Sequence, residues 1–545
     1  MSTTQQHPKG LRFLFLTEMW ERFGYYLMIG IFMLYMKDTQ KGGLSIPHKE
    51  ATDIFGTFIA LVYVTPFIGG MLADRVLGYR RSIIIGATLM GFGYLGLAIQ
   101  GMTAFWISLL LIILGNGFFK PNISILLGNL YNDEPYKAHK DTGYNIFYMG
   151  INVGAFICNF FAAYLRNTFS WGHAFAAAGV GMFIGLAVFI LGDKHYAHAD
   201  IQAQKQENEQ SIAVVMSSVL IPAILAGVLG WMIPGNIFGS DSTDAFLIAC
   251  LPIIAFYLNI WFKAAAHERE PIAALLAIYA VVIVFWAIFK QNGTTLTNWA
   301  EYYTDRAVPT MLQTPADALG MTQTLTAKKD SFPHYDSKFR APKDAAGKVV
   351  KTYSTHPYFI NAPTTLPTEG KSVQLFSTEL FQSINPFFVV ILTPFVVWFF
   401  GRLRKRNLEP TTATKIAGGL VISGLSTIIM VFAVLACHNG LDKSSIGWLF
   451  GTYGVITIGE LFLSPMGLSL VSKLAPVRIS ALMMGGWQLA TAIGNKLSGV
   501  LAGLWDGYED KTTFFWTNTG MIFAAAAVIF VMLRWLNRII RQYVV

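Results

Sequence analysis

Charged side chains are scarce in this chain of 545 residues. Asp, Glu, Lys and Arg together make up 13% of it, whereas hydrophobic residues make up 54%. A soluble protein is about 25% charged. So few ionic side chains cannot cover a water-facing surface, which predicts that the lipid bilayer covers much of the protein. The net charge of +9 therefore needs no nucleic-acid partner, and we expect none.

Cysteines are also few, and catalytic motifs are lacking. The three cysteines, Cys158, Cys250 and Cys437, are too few and too scattered for a disulfide framework or a metal cluster. Neither HExxH nor GxSxG occurs, which argues against an enzyme. We expect no catalytic residue, no metal and no cofactor. The long apolar run near the N-terminus contains Glu18, Glu21 and Arg22, so we interpret it as a retained helix rather than a cleaved signal.

Long apolar runs are abundant. An apolar helix of about 20 residues crosses the hydrocarbon core, and by that criterion the chain has about fourteen spans. They lie near 11–37, 51–74, 82–101, 104–130, 143–165, 172–192, 212–233, 244–263, 271–300, 375–401, 412–437, 446–471, 479–505 and 514–536.

Two groups of six spans flank a central pair. This layout predicts an all-α membrane protein with the major facilitator fold. We expect an N-terminal six-helix bundle (1–192), a linker with two extra helices (193–268) and a C-terminal six-helix bundle (269–545). Lys and Arg in alternate loops predict that both termini are cytoplasmic and that a long loop at about 301–373 is periplasmic. The simplest interpretation of that loop is a small exposed flap.

The first span carries three charges within five residues. One helical face collects six residues by their spacing: Glu18, Glu21, Arg22, Tyr25, Tyr26 and Ile29. Glu18 and Arg22 can form an i, i+4 ion pair. A single charge at mid-membrane costs roughly 2.5–3.5 kcal/mol, so this cluster must face protein or water. A buried ionic staple between helices is the alternative to a transport pathway, and intramembrane charges favour the pathway.

Other polar and aromatic residues also fall inside spans. These are Lys120, Asn152, Trp286, Lys290, Asn385, Glu460 and Trp487. Helix packing is the alternative role for the asparagines and tryptophans. Together the spans supply charges of both signs, which suits a zwitterion: its ammonium can pair with a carboxylate and its carboxylate with a lysine. Tyrosines and tryptophans add apolar faces with polar edges. A buried carboxylate can also hold a proton, as proton-driven uptake requires.

Several segments resemble one family, the proton-dependent oligopeptide transporters of the major facilitator superfamily. The first helix matches the family motif ExxERFxYY at residues 18–26, and GGMLADRVLGYRRS matches its signature and the superfamily loop between helices two and three. FYMGINVG resembles the fifth-helix signature, and GNGFFKPN, INPFF and GELFLSPMG are similar to other family segments. The two extra spans are typical of bacterial members, which implies a multi-pass protein of the bacterial inner membrane.

The resemblance implies roles for individual residues. Tyr25, Tyr26 and Tyr63 match tyrosines that line the peptide pocket, and Trp286 and Trp487 match its aromatic positions. Four further residues match residues of the relatives that contact peptide termini or neighbouring polar groups: Lys120, Asn152, Asn385 and Glu460. Proton coupling is implied for Glu18, Glu21, Arg22 and Lys120. A gating loop is implied for Asp74, Arg75 and Arg80, with simple topology as the alternative.

Two positions depart from the family pattern. Many bacterial members carry an arginine where this chain has Ile29 and a glutamate where it has Lys290, and those two are thought to pair. Here both are changed, which avoids a stranded charge. We expect Lys290 to meet Glu18, Glu21 or a substrate carboxylate.

The resemblance implies a proton-coupled symporter that imports di- and tripeptides by alternating access, with an altered preference for side-chain charge. Its partners are then small peptides, protons and the lipid bilayer. A proton-coupled carrier of another solute, such as an amino acid, nitrate or a drug, is the alternative on the same fold. A membrane enzyme, a channel or a sensor are more distant alternatives.

Overall fold

The computed structural model is mainly α-helical and describes residues 7–39, 41–132, 136–201, 216–333, 350–361, 370–476 and 479–544. Six long helices come first: α1 (Gly10–Lys37), α2 (His48–Leu72), α3 (Tyr79–Leu97), α4 (Met102–Leu130), α5 (Lys140–Thr168) and α6 (Trp171–Gly192). A central pair follows, α7 (Ile221–Trp231) and α8 (Asp241–Lys263).

The rest of the chain supplies six more long helices and two short ones. These are α9 (Ala266–Phe289), the short α10 (Thr295–Tyr302) and α11 (Thr310–Ala318), then α12 (Ile384–Lys405), α13 (Thr412–Ala436), α14 (Ile446–Leu474), α15 (Ser480–Gly503) and α16 (Lys511–Val544). Each predicted span overlaps at least one of these helices. Within the described ranges, ten helices are long and apolar enough to cross a membrane. Helices α1, α3 and α15 are not among these ten, and α7 is an apolar helix that is too short for the criterion.

Two predicted spans need correction, and part of a third lies outside the described residues. The span predicted near 271–300 is not one helix, because a 3₁₀ turn at Lys290–Gly293 separates α9 from α10. The span predicted from 375 begins only at Ile384, because residues 372–376 pair as a strand and Thr378–Ser383 form a 3₁₀ helix. Residues 212–215 of the seventh predicted span lie outside the described residues.

Two hydrophobic cores underlie the two helical bundles. One core is built from α1 to α6 and runs from Leu11 to Ala199, and the other runs from Tyr257 to Ile540 through α9 and α13 to α16. Large apolar side chains such as Phe92, Trp106 and Trp398 remain exposed on the outside of the bundles. Such a surface belongs in lipid, so the protein is a multi-pass membrane protein. The exact domain boundaries stay a prediction.

Glycines allow helices to approach closely where the bundles need it. A Cβ atom on Gly69 of α2 would lie 2.1 Å from the carbonyl oxygen of Gly117 in α4. Between the bundles, a Cβ on Gly56 of α2 would lie 3.1 Å from the Cα of Gly499 in α15. Small residues therefore permit backbone contact within the first bundle and across the bundle interface.

In its described part the long loop forms a small folded unit with many exposed side chains, and the prediction of a small exposed flap stays a prediction. It contributes β1 (Thr304–Asp305), β2 (Thr322–Thr326), β3 (Asp330–Pro333), β4 (Lys351–Ser354) and β5 (Ser372–Phe376), and β6 (Ser444–Ser445) lies before α14. Strands β2 and β5 are antiparallel, as are β3 and β4, and β1 pairs parallel to β6. Buried Ala327, Tyr358, Phe359 and Leu375 form its core.

The side of the protein that carries this loop is called the loop face below; α1 ends on it at Lys37. Among the residues that the structure describes, three ion pairs join the first bundle to the second half of the chain, and each lies toward the loop face. They are Lys37–Glu301 at 3.7 Å, Arg166–Glu379 at 3.2 Å and Asp53–Lys496 at 2.6 Å.

The Asp53–Lys496 pair also holds the central helix pair. Lys496 is fully buried, and its ammonium donates to Thr57 (2.6 Å) and Ser242 (2.9 Å) as well as to Asp53. Ser240, which caps the N-terminus of α8, donates to the same carboxylate at 2.8 Å. A single carboxylate thus links α2, α8 and α15.

Removing this carboxylate should destabilise the protein. Asp53→Asn strands the buried Lys496 ammonium, a change that costs about 3–5 kcal/mol in comparable buried pairs. We expect the melting temperature of the purified protein to fall by several degrees, and Asp53→Asn with Lys496→Met to recover most of the loss. The control is Glu270→Gln, which breaks an exposed pair with Arg538 worth at most about 1 kcal/mol. Equal melting temperatures for Asp53→Asn and Glu270→Gln would contradict this account.

Candidate functional site

A cavity of about 260 Å³ lies between the two bundles, and it is called the central cavity below. Helices α1, α2, α4 and α5 line it from one side, and the 3₁₀ turn at Lys290–Gly293, α12 and α14 from the other. Most of the predicted site residues meet here. They are Glu18, Arg22, Tyr25, Tyr26, Tyr63, Lys120, Asn152, Lys290, Asn385 and Glu460.

The charges of α1 form a compact triad at the cavity wall. The Nε of Arg22 donates to Oε1 of Glu18 at 2.8 Å and lies 2.6 Å from Oε2 of Glu21. All three side chains are buried, yet Oε2 of Glu18 and both oxygens of Glu21 have no hydrogen-bond partner among the residues described. Glu18 and Arg22 line the cavity, whereas Glu21 lies behind them. Two carboxylates therefore share one guanidinium, which leaves one negative charge uncompensated within the triad.

Two lysines from opposite sides of the cavity converge on Tyr63. The Nζ of Lys120 lies 4.1 Å from the centre of the Tyr63 ring, and the Nζ of Lys290 lies 5.7 Å from it. Lys290 also lies near the rings of Trp286 and Phe289, at 5.5 and 5.6 Å. Among the side chains that the structure describes, neither lysine forms an ion pair with a carboxylate. Aromatic faces stabilise both ammonium groups while leaving them open to an anion.

The expectation that Lys290 meets Glu18 or Glu21 is wrong. Both of those carboxylates pair with Arg22, and Lys290 lies over aromatic rings instead. The remaining expectation, that it meets a substrate carboxylate, stays a prediction.

A carboxylate faces the cavity from the second bundle. Glu460 of α14 accepts a hydrogen bond from the amide nitrogen of Asn385 at 3.1 Å, and the same nitrogen also donates to Thr457 at 2.9 Å. Within the described residues, Glu460 has no ion-pair partner. The cavity thus presents an oriented carboxylate from α14 and two lysines that meet at Tyr63.

Some cavity residues escaped sequence analysis. They include Ser124, Tyr148, Asn159, Asn292 and Gln382. Tyr148 and Asn159 could have been found by helical spacing, since they lie four residues before and seven after Asn152. Asn292 and Gln382 sit in 3₁₀ segments, where helical periodicity gives no signal.

Other predicted residues lie away from the cavity wall. Trp487 is buried, and its ring packs 6.2 Å from that of Tyr279. Trp286 lies behind Lys290, whose ammonium is 5.5 Å from the centre of its ring. Their predicted contact with substrate has no support from this arrangement and stays a prediction. Arg80 pairs with Asp193 on the side opposite the loop face. The side chains of Asp74 and Arg75 lie outside the described part, so the predicted gating loop stays a prediction as well.

Comparison with known proteins points to one family. The model of the POT family matches residues 80–326 and 370–517, which is most of the chain. This chain belongs to the POT family. Its relatives include the uncharacterized transporter YclF of Bacillus subtilis, 32% identical over 95% of this chain and 91% of the relative. Another is the peptide transporter YePEPT of Yersinia enterocolitica, 30% identical over 91% of this chain and 88% of the relative.

The POT fold is also evident from a solved structure. A mutant of the peptide transporter POT, crystallised in complex with alafosfalin, has a TM-score of 0.74 and 30% sequence identity to this chain. The similarity covers 98% of this chain and 96% of that one. The major facilitator fold with two bundles is therefore confirmed. Within this POT fold, the two positions that depart from the family pattern, Ile29 and Lys290, both lie on the cavity wall.

The triad on α1 predicts unequal effects of its members on stability. Arg22→Met leaves two buried carboxylates without a cation, and we expect a loss of about 3–5 kcal/mol. Glu18→Gln leaves a matched Arg22–Glu21 pair, so we expect a change below about 1 kcal/mol. Thermal unfolding of the two purified variants at neutral pH measures the difference. If Glu18→Gln were as destabilising as Arg22→Met, the triad would not carry the imbalance described above.

Proposed function

We propose that this chain is a proton-coupled symporter that takes up di- and tripeptides. The observation that carries the proposal is the central cavity, where Glu460 faces Lys120 and Lys290 without an ion-pair partner for any of them among the described residues. A peptide zwitterion offers the complementary charges, an ammonium for Glu460 and a carboxylate for the lysines. The names of relatives as peptide transporters support the same solute class.

The α1 triad supplies a place for the coupled proton. With both carboxylates ionised, the triad holds one uncompensated negative charge in a buried position, which is costly. A proton on Glu18 or Glu21 removes that cost. Because Glu18 and Arg22 reach the cavity while Glu21 lies behind them, the charge state of the triad acts directly on the bound solute. No metal or cofactor is needed for this step.

Alternating access follows from where the bundles touch. The three ion pairs between the bundles close the loop face, and the cavity lies between the bundles below them. We infer that the loop face is periplasmic and that both termini are cytoplasmic, in the bacterial inner membrane, from the distribution of Lys and Arg. Opening toward the periplasm then requires these three pairs to break, and rocking of the bundles would do so.

Uptake by reconstituted protein tests the transport proposal. In liposomes with an acidic exterior, we expect accumulation of alanyl-alanine that collapses with a protonophore. Glu460→Gln, which removes the ammonium's partner, should lower kcat/KM by about tenfold or more, equivalent to about 1.4 kcal/mol or more. Glu270→Gln, at an exposed carboxylate far from the cavity, is the control and should leave uptake unchanged. Failure of a broad dipeptide panel, with uptake of an amino acid, nitrate or a drug instead, would remove the peptide claim.

The second lysine predicts a preference for acidic peptides. One of the two ammonium groups can bind the peptide C-terminus and the other an acidic side chain, so Lys290→Ala should raise KM for alanyl-aspartate by about tenfold. KM for alanyl-alanine should rise less than threefold. Competition assays in liposomes with both peptides measure the ratio, and Lys371→Ala on the loop is the charge-matched control. Equal changes in KM for the two peptides would show that Lys290 does not bind the acidic side chain.

A further inference from the structure

A second cavity of about 250 Å³ lies on the loop face, and it is called the loop-face cavity below. It lies where the ends of α1 and α10 meet α5, α6 and β2, away from the central cavity. Positive charge dominates its wall: the ionic lining residues are Lys37, Lys41, Arg166, Arg306, Asp38 and Glu301.

The carboxylates at this cavity are already engaged. Glu301 lies 3.7 Å from the ammonium of Lys37. Asp38 accepts a hydrogen bond from the indole nitrogen of Trp171 at 2.8 Å. Arg166, for its part, pairs with the fully buried Glu379 behind the wall at 3.2 Å. Pairing therefore accounts for two of the four cations and leaves Lys41 and Arg306 without an ion-pair partner among the described residues.

Arg306 is the more unusual of the two, because its side chain is only 1% exposed. Its guanidinium donates to the carbonyl oxygens of Phe376 at 2.5 Å and Glu301 at 3.4 Å, and it lies 5.3 Å from the ring of Tyr358. In the described part of the chain, its Nε has no hydrogen-bond partner. Carbonyl dipoles and a ring do not cancel a full charge, so Arg306 is a buried cation that forms no ion pair with any described residue.

The positive charge of Arg306 also acts on Lys443, which does not line the cavity. Its ammonium lies 3.8 Å from the centre of the Tyr358 ring. Burial, and then the positive charge of Arg306, lower the pKa of Lys443 to about 6. The positive charge of Arg306 thus disfavours a second cation close to it.

We propose that the loop-face cavity binds a small carboxylate, held by Arg306 and by Lys41 at the exposed rim. A guanidinium presents parallel N–H donors that match the two oxygens of a carboxylate, and Lys41 adds a second cation. The bound group is the C-terminus of a short peptide or a free organic acid, since both offer the same chemistry. Such a site is separate from the central cavity and does not depend on transport.

Equilibrium binding to the purified full-length protein tests this site. A Lys120→Gln background weakens carboxylate binding in the central cavity. In that background, radiolabelled N-acetyl-alanyl-alanine, which has a carboxylate and no ammonium, should bind saturably. Alanyl-alanine amide, which has an ammonium and no carboxylate, should not compete. Competition by acetate at similar concentration would assign the site to any small carboxylate, and its failure would assign it to a peptide C-terminus.

Single substitutions test which residues hold the bound carboxylate. Arg306→Gln should weaken binding of N-acetyl-alanyl-alanine by about tenfold. Because replacing a buried residue can also disturb the loop, Lys41→Gln at the exposed rim is the second variant, with an expected loss of about threefold. Lys371→Gln removes one positive charge from an exposed position of the same loop and should leave binding unchanged.

Two results would overturn the proposal: no saturable binding of N-acetyl-alanyl-alanine in the Lys120→Gln background, or binding that neither Arg306→Gln nor Lys41→Gln weakens. Neither outcome bears on peptide uptake through the central cavity, which is measured separately in liposomes. Loss of uptake with binding intact would, conversely, reject the transport proposal alone.

Discussion

An ionic side chain at membrane depth must find a partner, water or a ligand, and this requirement organises the whole protein. Lipid offers no compensation for charge. The structure meets the requirement in two ways. Asp53 and Lys496 neutralise each other where the bundles and the central helix pair join, so they act as structure. Lys120, Lys290 and Glu460 instead open onto the central cavity without ion-pair partners in the described part, where the proposed solute would pair with them.

The α1 triad shares features of both arrangements. Its ion pairs are those of a structural staple, yet Glu18 and Arg22 lie on the cavity wall. The ion pairs agree with the interpretation as a staple, whereas the transport-pathway role stays a prediction. Because two carboxylates compete for one guanidinium, a proton on either of them would balance the charges of the triad. The proposed proton coupling rests on this imbalance, and we propose that the neutral and charged forms favour different arrangements of the bundles.

The helices and most of the charged cavity residues can be predicted from the sequence because both depend on local signals. Apolar runs of about 20 residues mark spans, and charges inside them mark residues such as Lys120 and Glu460 that cannot face lipid. The failures have non-local causes. The start of α12 was placed too early because the pairing of β5 with β2 spans about fifty residues. The position of Lys290 over Tyr63, and the burial of Trp487 against Tyr279, depend on packing between helices that no spacing predicts.

Labelling of a cysteine in the central cavity is the most direct test of the idea that these charges share one solute-accessible space. The three native cysteines are buried, and Ser124 lines the cavity, so Ser124→Cys provides a reporter for a maleimide probe. We expect alanyl-alanine to slow labelling at this position, and we expect this protection to disappear in Glu460→Gln. Labelling at the same rate with and without a transported peptide would contradict it.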